Sequence, residues 1–345
     1  ALLDEFEKGC TVNLLDRIFT DLRPLLKEIT DRIKQQKQVD DSFLLKHYDK
    51  QKQWNFGIQI IRDLGFDFDA GRQDLSAHPF TTSFNKNDVR ITTRISENDF
   101  NNMTWSCIHE TGHALYEQGL PESAYGLPSG EYASLGIHES QSRLWENHVG
   151  RSPEFWKYHY PGLRDLFPEP LGNISTEQFY TGINIVKPSL IRTEADEVTY
   201  HFHVMIRYGI EKKLIAGELN TKDIPACWNE QYQQYLGVQV PGDREGCLQD
   251  VHWSHGSFGY FPTYSLGSFY AAQFFRQAQK DLPGLSREME QGRTAELLTW
   301  LRQRVHAHGR TYTSEELCEK ATGETLKVQY FLDYLLDKYQ KIYQF

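Results

Sequence analysis

His109, Glu110 and His113 fall in the run Ile108-His109-Glu110-Thr111-Gly112-His113, two imidazoles four residues apart with a carboxylate beside the first. On a helix, residues four apart lie one turn above each other on the same face, so one metal ion can be held between His109 and His113. Glu110 sits about 100° further round. From there its carboxylate can reach a water on the metal without being a ligand, which is the position of the general base in zinc-dependent peptide hydrolysis. A structural zinc wants Cys or four protein ligands, whereas a catalytic zinc takes three and keeps a position open for water. Glu139, 25 intervening residues after His113, is the expected third ligand.

Two elements must position these groups. Ser96-Glu97-Asn98-Asp99 resembles a capping box with Asp in place of the usual Glu, and Phe100, Met103, Ile108 and Leu115 recur near helical spacing. Gly119 and Pro121 then supply the stop, so the spacing predicts a helix over 97–118. A second helix over 135–147, with Leu135, Leu144 and Trp145 as its core face, ends near Gly150. Packed antiparallel to the first across a 119–130 loop, it would bring Glu139 opposite the His pair.

The surrounding chain reads as mainly α. Residues 2–53 carry a strong amphipathic pattern with Leu14, Leu15, Ile18, Leu22, Leu26 and Ile33, and a shorter helix follows over 50–64. The runs 79–84 and 88–94, joined at Asn85-Lys86-Asn87, predict a β-hairpin. Further helices are expected over 152–158, 175–185, 191–216, 223–236, 264–279, 284–291, 294–305, 314–321 and 325–345. No repeat, low-complexity tract or flexible linker marks a boundary, which predicts a single catalytic domain over 1–345.

Composition narrows the function classes. Hydrophobic residues at 39% and aromatics at 13% describe a globular protein, not a disordered or membrane-spanning one. A net charge of -10 without a basic run argues against nucleic-acid binding, because phosphates would go unneutralised. The sequence has no apolar run long enough to span a membrane and no lipidation motif. Five cysteines without a close pair favour free thiols and a reducing compartment, so a cytoplasmic protein is expected.

Five blocks resemble, in order, those of the carboxypeptidase Taq family of metallocarboxypeptidases: Asp88-Val89-Arg90-Ile91-Thr92, His109 to His113, His138-Glu139-Ser140-Gln141, Ile191-Arg192-Thr193-Glu194-Ala195-Asp196, and Gly246-Cys247-Leu248-Gln249-Asp250-Val251-His252-Trp253. The resemblance implies a helical, cleft-forming gluzincin, related in shape to the neurolysin and angiotensin-converting enzyme groups, with a small hairpin or sheet beside the site. It also implies that further helices stand upstream of residue 1 in family members. The implied activity is hydrolysis of the C-terminal peptide bond with broad specificity, on peptides with a free C-terminus. The implied cofactor is zinc, with cobalt or another divalent metal as alternatives, and the implied assembly a homodimer.

Further roles follow from the same resemblance. In related gluzincins a His and a Tyr downstream of the metal site stabilise the oxyanion, and His252 with Tyr264, or with Tyr260 instead, supplies both types here. Arg192, and after it Arg90, would bind the substrate's terminal carboxylate through the bidentate guanidinium fork. Asp196 and Asp250 are expected to bond the ligand histidines from behind. The hairpin would offer an edge to an extended peptide. An endopeptidase or dipeptidase of the same fold, or a peptide-binding protein that retains the metal site, are the alternative readings.

Overall fold

A computed structural model describes residues 1–345. In chain order the helices are α1 (Leu2–Phe6), α2 (Val12–Lys34), α3 (Lys50–Asp63), α4 (Phe100–Gly119), α5 (Leu135–Arg143), α6 (Pro153–Leu166), α7 (Pro168–Leu171), α8 (Thr176–Gly182), α9 (Tyr200–Ile215), α10 (Ile224–Leu236), α11 (Pro262–Asp281), α12 (Leu285–Met289), α13 (Ala295–Arg304), α14 (Ser314–Thr322) and α15 (Gln329–Tyr343). The strands are β1 (Gly71–Leu75), β2 (Thr81–Asn85) and β3 (Asp88–Thr93). The protein is therefore mainly helical with one small sheet, and no helix is long and apolar enough to cross a membrane. Two compact units divide it: residues 1–38, 185–266 and 332–345 form the first, and residues 39–184 and 267–331 the second.

The second unit is built around α4. This helix starts at Phe100, three residues later than its sequence suggests, capped by Asp99, whose side chain accepts from the Asn101 N–H. The reason lies outside the helix. The Gln53 side chain and the Tyr48 N–H claim the carbonyls of Ser96 and Glu97, leaving neither free for a helical turn. Phe100, Met103, Ile108 and Leu115 are buried as their spacing predicts. α3 crosses α4 at Gly57, where a Cβ would stand 2.8 Å from Met103 Sδ.

The sheet lies against another face of α4. β2 and β3 form the expected hairpin, but β3 is central, because β1 adds to it in parallel and gives the order β1-β3-β2. β1 reads Gly-Arg-Gln-Asp-Leu, with no β-branched or aromatic residue to announce a strand. Val89, Ile91 and Thr93 of β3 are buried, and Thr93 bonds Ser106 of α4 at 2.6 Å.

α5 continues into a π-helical turn over Leu144–Gly150 that is buried throughout. Trp145 and Leu144 anchor it at 0% exposure, each worth about 1.5–3 kcal/mol of burial or more.

In the first unit the expected helix over 2–53 is interrupted. Gly9 adopts φ +84°, its N–H held by the Asp4 carboxylate, and the Thr11 side chain caps a new helix, α2. Tyr208 of α9 donates to Asp16 of α2 at 2.9 Å. The helix expected over 191–216 also begins late, at Tyr200. Asp196 explains this: its carboxylate accepts from the N–H groups of Lys187, Val198 and Thr199 and from the Thr199 hydroxyl, fixing residues 187–199 as a loop. α15 docks through a buried ion pair between Lys338 and Glu197, with Tyr334 donating to the same carboxylate.

Candidate metal centre

The nitrogen donors of the site come from one helix and the oxygen donor from the next. His109 and His113 stand on successive turns of α4 with ring centroids 4.9 Å apart, and Glu139 points at them from α5. Glu139 Oε2 lies 3.6 Å from His109 Nε2 and 3.5 Å from His113 Nε2. One donor atom from each of the three lies within 4.8 Å of the others. Two imidazoles and a carboxylate at that spacing match the three protein ligands of a catalytic zinc, whose bonds of about 2.0–2.2 Å place neighbouring donors roughly 3–4 Å apart. The residues present therefore fit a divalent ion.

Glycine makes this approach of helices possible. A Cβ on Gly112 would stand 2.5 Å from Ser142 Cα and 2.7 Å from the Gln141 carbonyl oxygen, so the backbones of α4 and α5 touch between the two histidines. On the other side of Glu139, a Cβ on Gly267 would come within 2.5 Å of Glu139 Cγ. Glu139 is thus clasped by two backbones that carry no side chain at the contact.

Electrostatics set the charge states of the three candidate ligands. Burial alone would raise the Glu139 pKa, but Arg143 and the two histidines outweigh it and hold the carboxyl well below the usual range, ionised as a ligand must be. Arg143 Nε donates to Glu139 Oε1 at 2.7 Å, and the Ser142 hydroxyl to Oε2 at 3.1 Å. His113 is pushed down to about 4, by burial first and then by His138, which keeps its imidazole neutral at pH 7. His109 moves the other way: burial opposes its protonation, yet Glu139 and Glu146 prevail.

The groups behind the histidines differ from the sequence expectation. Glu146 Oε2 lies 2.8 Å from His109 Nδ1 and takes the role expected of an aspartate. It can do so because the π-helical turn rotates residue 146 off the α-helical path of α5. His138 Nδ1 lies 2.5 Å from His113 Nδ1, and His138 Nε2 lies 2.7 Å from Glu117 Oε1. Asp196 is committed to its own loop and Asp250 to two arginines, so neither is the partner the sequence reading assigned. The block His138-Glu139 held the signal for one of these, since the neighbour of a ligand on the helix was a His with Glu117 four residues beyond His113.

Glu110 is 8% exposed, and burial pushes its carboxyl above the ordinary range against the pull of His109 and a hydrogen bond from Thr81. That direction suits a group that must accept a proton near neutral pH. Arg90 takes no part in this cluster. It sits on the face of β3 opposite Val89 and Ile91, exposed, with Nε and Nη2 bonded to Asp88 at 2.8 and 2.9 Å and its guanidinium over Phe84.

The first unit assembles the remaining residues of the sequence reading into a second cluster. His252 Nε2 lies 2.9 Å from the Tyr264 hydroxyl, and the Tyr260 ring packs at 5.0 Å from the His252 ring. Burial, reinforced by Arg192, lowers His252 to about 4, so its ring is neutral at pH 7. Arg192 is 5% exposed; its Nε and Nη2 donate to Asp250 Oδ1 at 3.1 and 2.7 Å, and its Nη1 to the Tyr200 hydroxyl at 3.1 Å. Its guanidinium carbon stands 4.5 Å above the Tyr264 ring. Arg207, missed by sequence reasoning, holds the other oxygen of Asp250 at 2.6 Å. Two arginines outweigh the burial of Asp250 and keep it far below the carboxylate range.

Comparison with known proteins agrees over almost the whole chain. A family profile described as carboxypeptidase Taq (M32) metallopeptidase matches residues 1–339. Carboxypeptidase 1 of Bacillus subtilis is 44% identical over 347 residues, a match covering 99% of this chain and 69% of that protein. Thermostable carboxypeptidase 1 of Thermus thermophilus is 45% identical over 344 residues, covering 99% of this chain and 67% of that one. The crystal structure of an M32 carboxypeptidase from Deinococcus radiodurans R1 superposes with a TM-score of 0.97 at 42% identity, over 100% of this chain and 69% of the other.

Proposed function

The chain belongs to the carboxypeptidase Taq (M32) family of metallopeptidases, a family of peptide hydrolases, and from that premise we propose that it removes single residues from the free C-termini of peptides, with His109, His113 and Glu139 holding a zinc ion. The observation that carries this reading is the three-ligand cluster on α4 and α5, with Glu110 beside it. Cobalt or another divalent ion suits the same nitrogen and oxygen donors. When bound, the ion supplies Lewis acidity that brings the pKa of water to about 7.

Glu110 takes the proton of the attacking water and returns it to the leaving amine, a transfer its raised pKa favours in both directions. His252 and Tyr264 donate hydrogen bonds to the oxyanion that develops on the scissile carbonyl, with Tyr260 as the alternative hydroxyl. Arg192 binds the terminal carboxylate: three of its five N–H groups are spent on Asp250 and Tyr200, which leaves two for substrate. Arg90, engaged with Asp88 and Phe84, is the weaker arginine for that task. The outer side of β2 is open to an extended peptide backbone. Broad side-chain tolerance, a homodimer, a cytoplasmic location and action of the two units as one catalytic domain belong to the same proposal.

The test is mass spectrometry of a peptide panel, free and C-terminally amidated, with metal-loaded protein and a chelator control. Stepwise loss of C-terminal residues from the free acids alone, abolished by chelation, is the expected result. Equal cleavage of amidated peptides would remove the carboxylate role of Arg192 and favour an endopeptidase. No cleavage by protein carrying stoichiometric metal would favour a peptide-binding protein.

A further inference from the structure

β2 is an outer strand, paired on one side to β3. Its side chains alternate, Thr82 and Phe84 exposed, Thr81 and Ser83 half-buried on the face toward α4. Hydroxyls on that inner face reach two carboxylates seven residues apart on the metal-bearing helix. Thr81 Oγ1 lies 2.5 Å from Glu110 Oε2 and 3.2 Å from the Glu110 carbonyl oxygen, while Ser83 bonds Glu117, the residue that holds His138.

A glutamate has three side-chain torsions, and a general base is effective only while its oxygen stays within hydrogen-bond reach of the proton it takes. Resting on the reading of Glu110 as that base, we propose that Thr81 is its positioning residue: the Thr81 hydroxyl fixes the carboxylate through Oε2 and leaves Oε1 to accept the proton. Neither the zinc motif nor the family blocks include residue 81, and a lone Thr in a strand gives no sign of the contact in sequence.

The strand's geometry separates this role from substrate binding. The Thr92 N–H donates to the Phe80 carbonyl, so the main-chain groups of residues 80 and 82 point to β3 and those of Thr81 and Ser83 point to the outer edge, up to the bulge that follows Ser83. Thr81→Val keeps that main chain, the β-branched shape and the strand preference, and replaces the hydroxyl by a methyl that cannot donate and that turns the Glu110 carboxylate away. Its effect should therefore fall on turnover and leave substrate affinity alone.

The experiment compares metal-loaded parent, Thr81→Val, Thr81→Ser and Glu110→Gln on one free-acid peptide, with bound metal per chain and melting temperature measured for each. Thr81→Val is expected to lower kcat by about 10- to 100-fold, the scale for losing a hydrogen bond to a buried charged group. KM and metal content should stay at parental values, the melting temperature should fall by no more in Thr81→Val than in Glu110→Gln, Thr81→Ser should recover most of the kcat loss, and Glu110→Gln should be inactive. Parental kcat in Thr81→Val beside an inactive Glu110→Gln overturns this inference alone. A loss of kcat that comes with lost metal, or that Thr81→Ser does not recover, makes Thr81 a structural residue and overturns it too. An active Glu110→Gln overturns the general-base reading, and the inference falls with it.

Discussion

Replacing Gly112 by Ala sets two effects of opposite sign against each other inside the metal motif. Helix propensity favours Ala over Gly by about 1 kcal/mol, and Gly112 sits well inside α4, so an isolated helix would gain. The new Cβ, however, would stand 2.5 Å from Ser142 Cα and 2.9 Å from Ser142 N, main-chain atoms that no rotamer change can move. Relieving the contact requires α4 and α5 to part by about 1 Å. Overpacking of this kind costs about 1–3 kcal/mol, and against backbone the upper half of that range applies, so destabilisation wins by about 1–2 kcal/mol. The same displacement carries Glu139 away from the histidines, and metal sites tolerate only about 0.2 Å in ligand distance. Zinc affinity should fall at least about tenfold, which at fixed zinc removes a further ~1.4 kcal/mol of stabilisation from the loaded form. Melting curves of metal-free and zinc-loaded protein, with a chelator-competition titration, test both parts. The variant should melt below the parent without zinc, and further below it with zinc. If Gly112→Ala bound zinc like the parent and melted at or above it, the claim that backbone contact at this glycine sets the site would be refuted.

Two other outcomes are expected. Glu146→Gln should weaken zinc binding by about 10- to 100-fold in the same titration, because a neutral amide replaces the carboxylate that orients and polarises His109; unchanged affinity would assign Glu146 to Arg143 and Arg151 alone. Glu211, buried and accepting from Trp253 Nε1 and the Gly259 N–H, is raised to about 7 by burial, against about 4.5 when unfolded. A raised carboxyl stabilises fully below its unfolded value, and that contribution is lost as pH rises through the folded one, so about 3 kcal/mol should disappear between pH 4.5 and 7. Urea unfolding at pH 5 and pH 8 should show that loss in the parent and a shallower one in Glu211→Gln; parallel losses would mean Glu211 titrates normally.

What could be read from sequence was whatever depended on spacing along one helix. The i, i+4 histidines, the carboxylate beside them and a glutamate facing them from the next helix need only helical geometry and a short loop, and the structure places the side chains so. The groups behind the histidines depend on a π-helical turn and on a contact between helices, and neither leaves a periodic trace: Glu146 and His138 were passed over in favour of Asp196 and Asp250. The sequence reading gives Gly112 no role, although a residue without a side chain inside a buried helix is itself a signal of close approach. β1 was invisible because its place depends on main-chain pairing to β3 and hardly at all on its own side chains. Arg192 was found through a family block, but Arg207, its partner on Asp250, lay in the middle of a helix that reads as ordinary core.

Arg143 gives one guanidinium to two masters. It donates to Glu139, the proposed third ligand, and to the same Glu146 oxygen that faces His109. The two acids draw on one cation through separate N–H groups, Nε for Glu139 and Nη1 for Glu146. Losses of metal affinity from Glu139 and Glu146 will not add in a double-mutant cycle, and the coupling should shrink when Arg143 is replaced to the part that runs through His109. The candidate centre is in this sense a circuit, in which a change at one acid reaches the side chains around the other through a guanidinium that belongs to neither helix turn of the histidines.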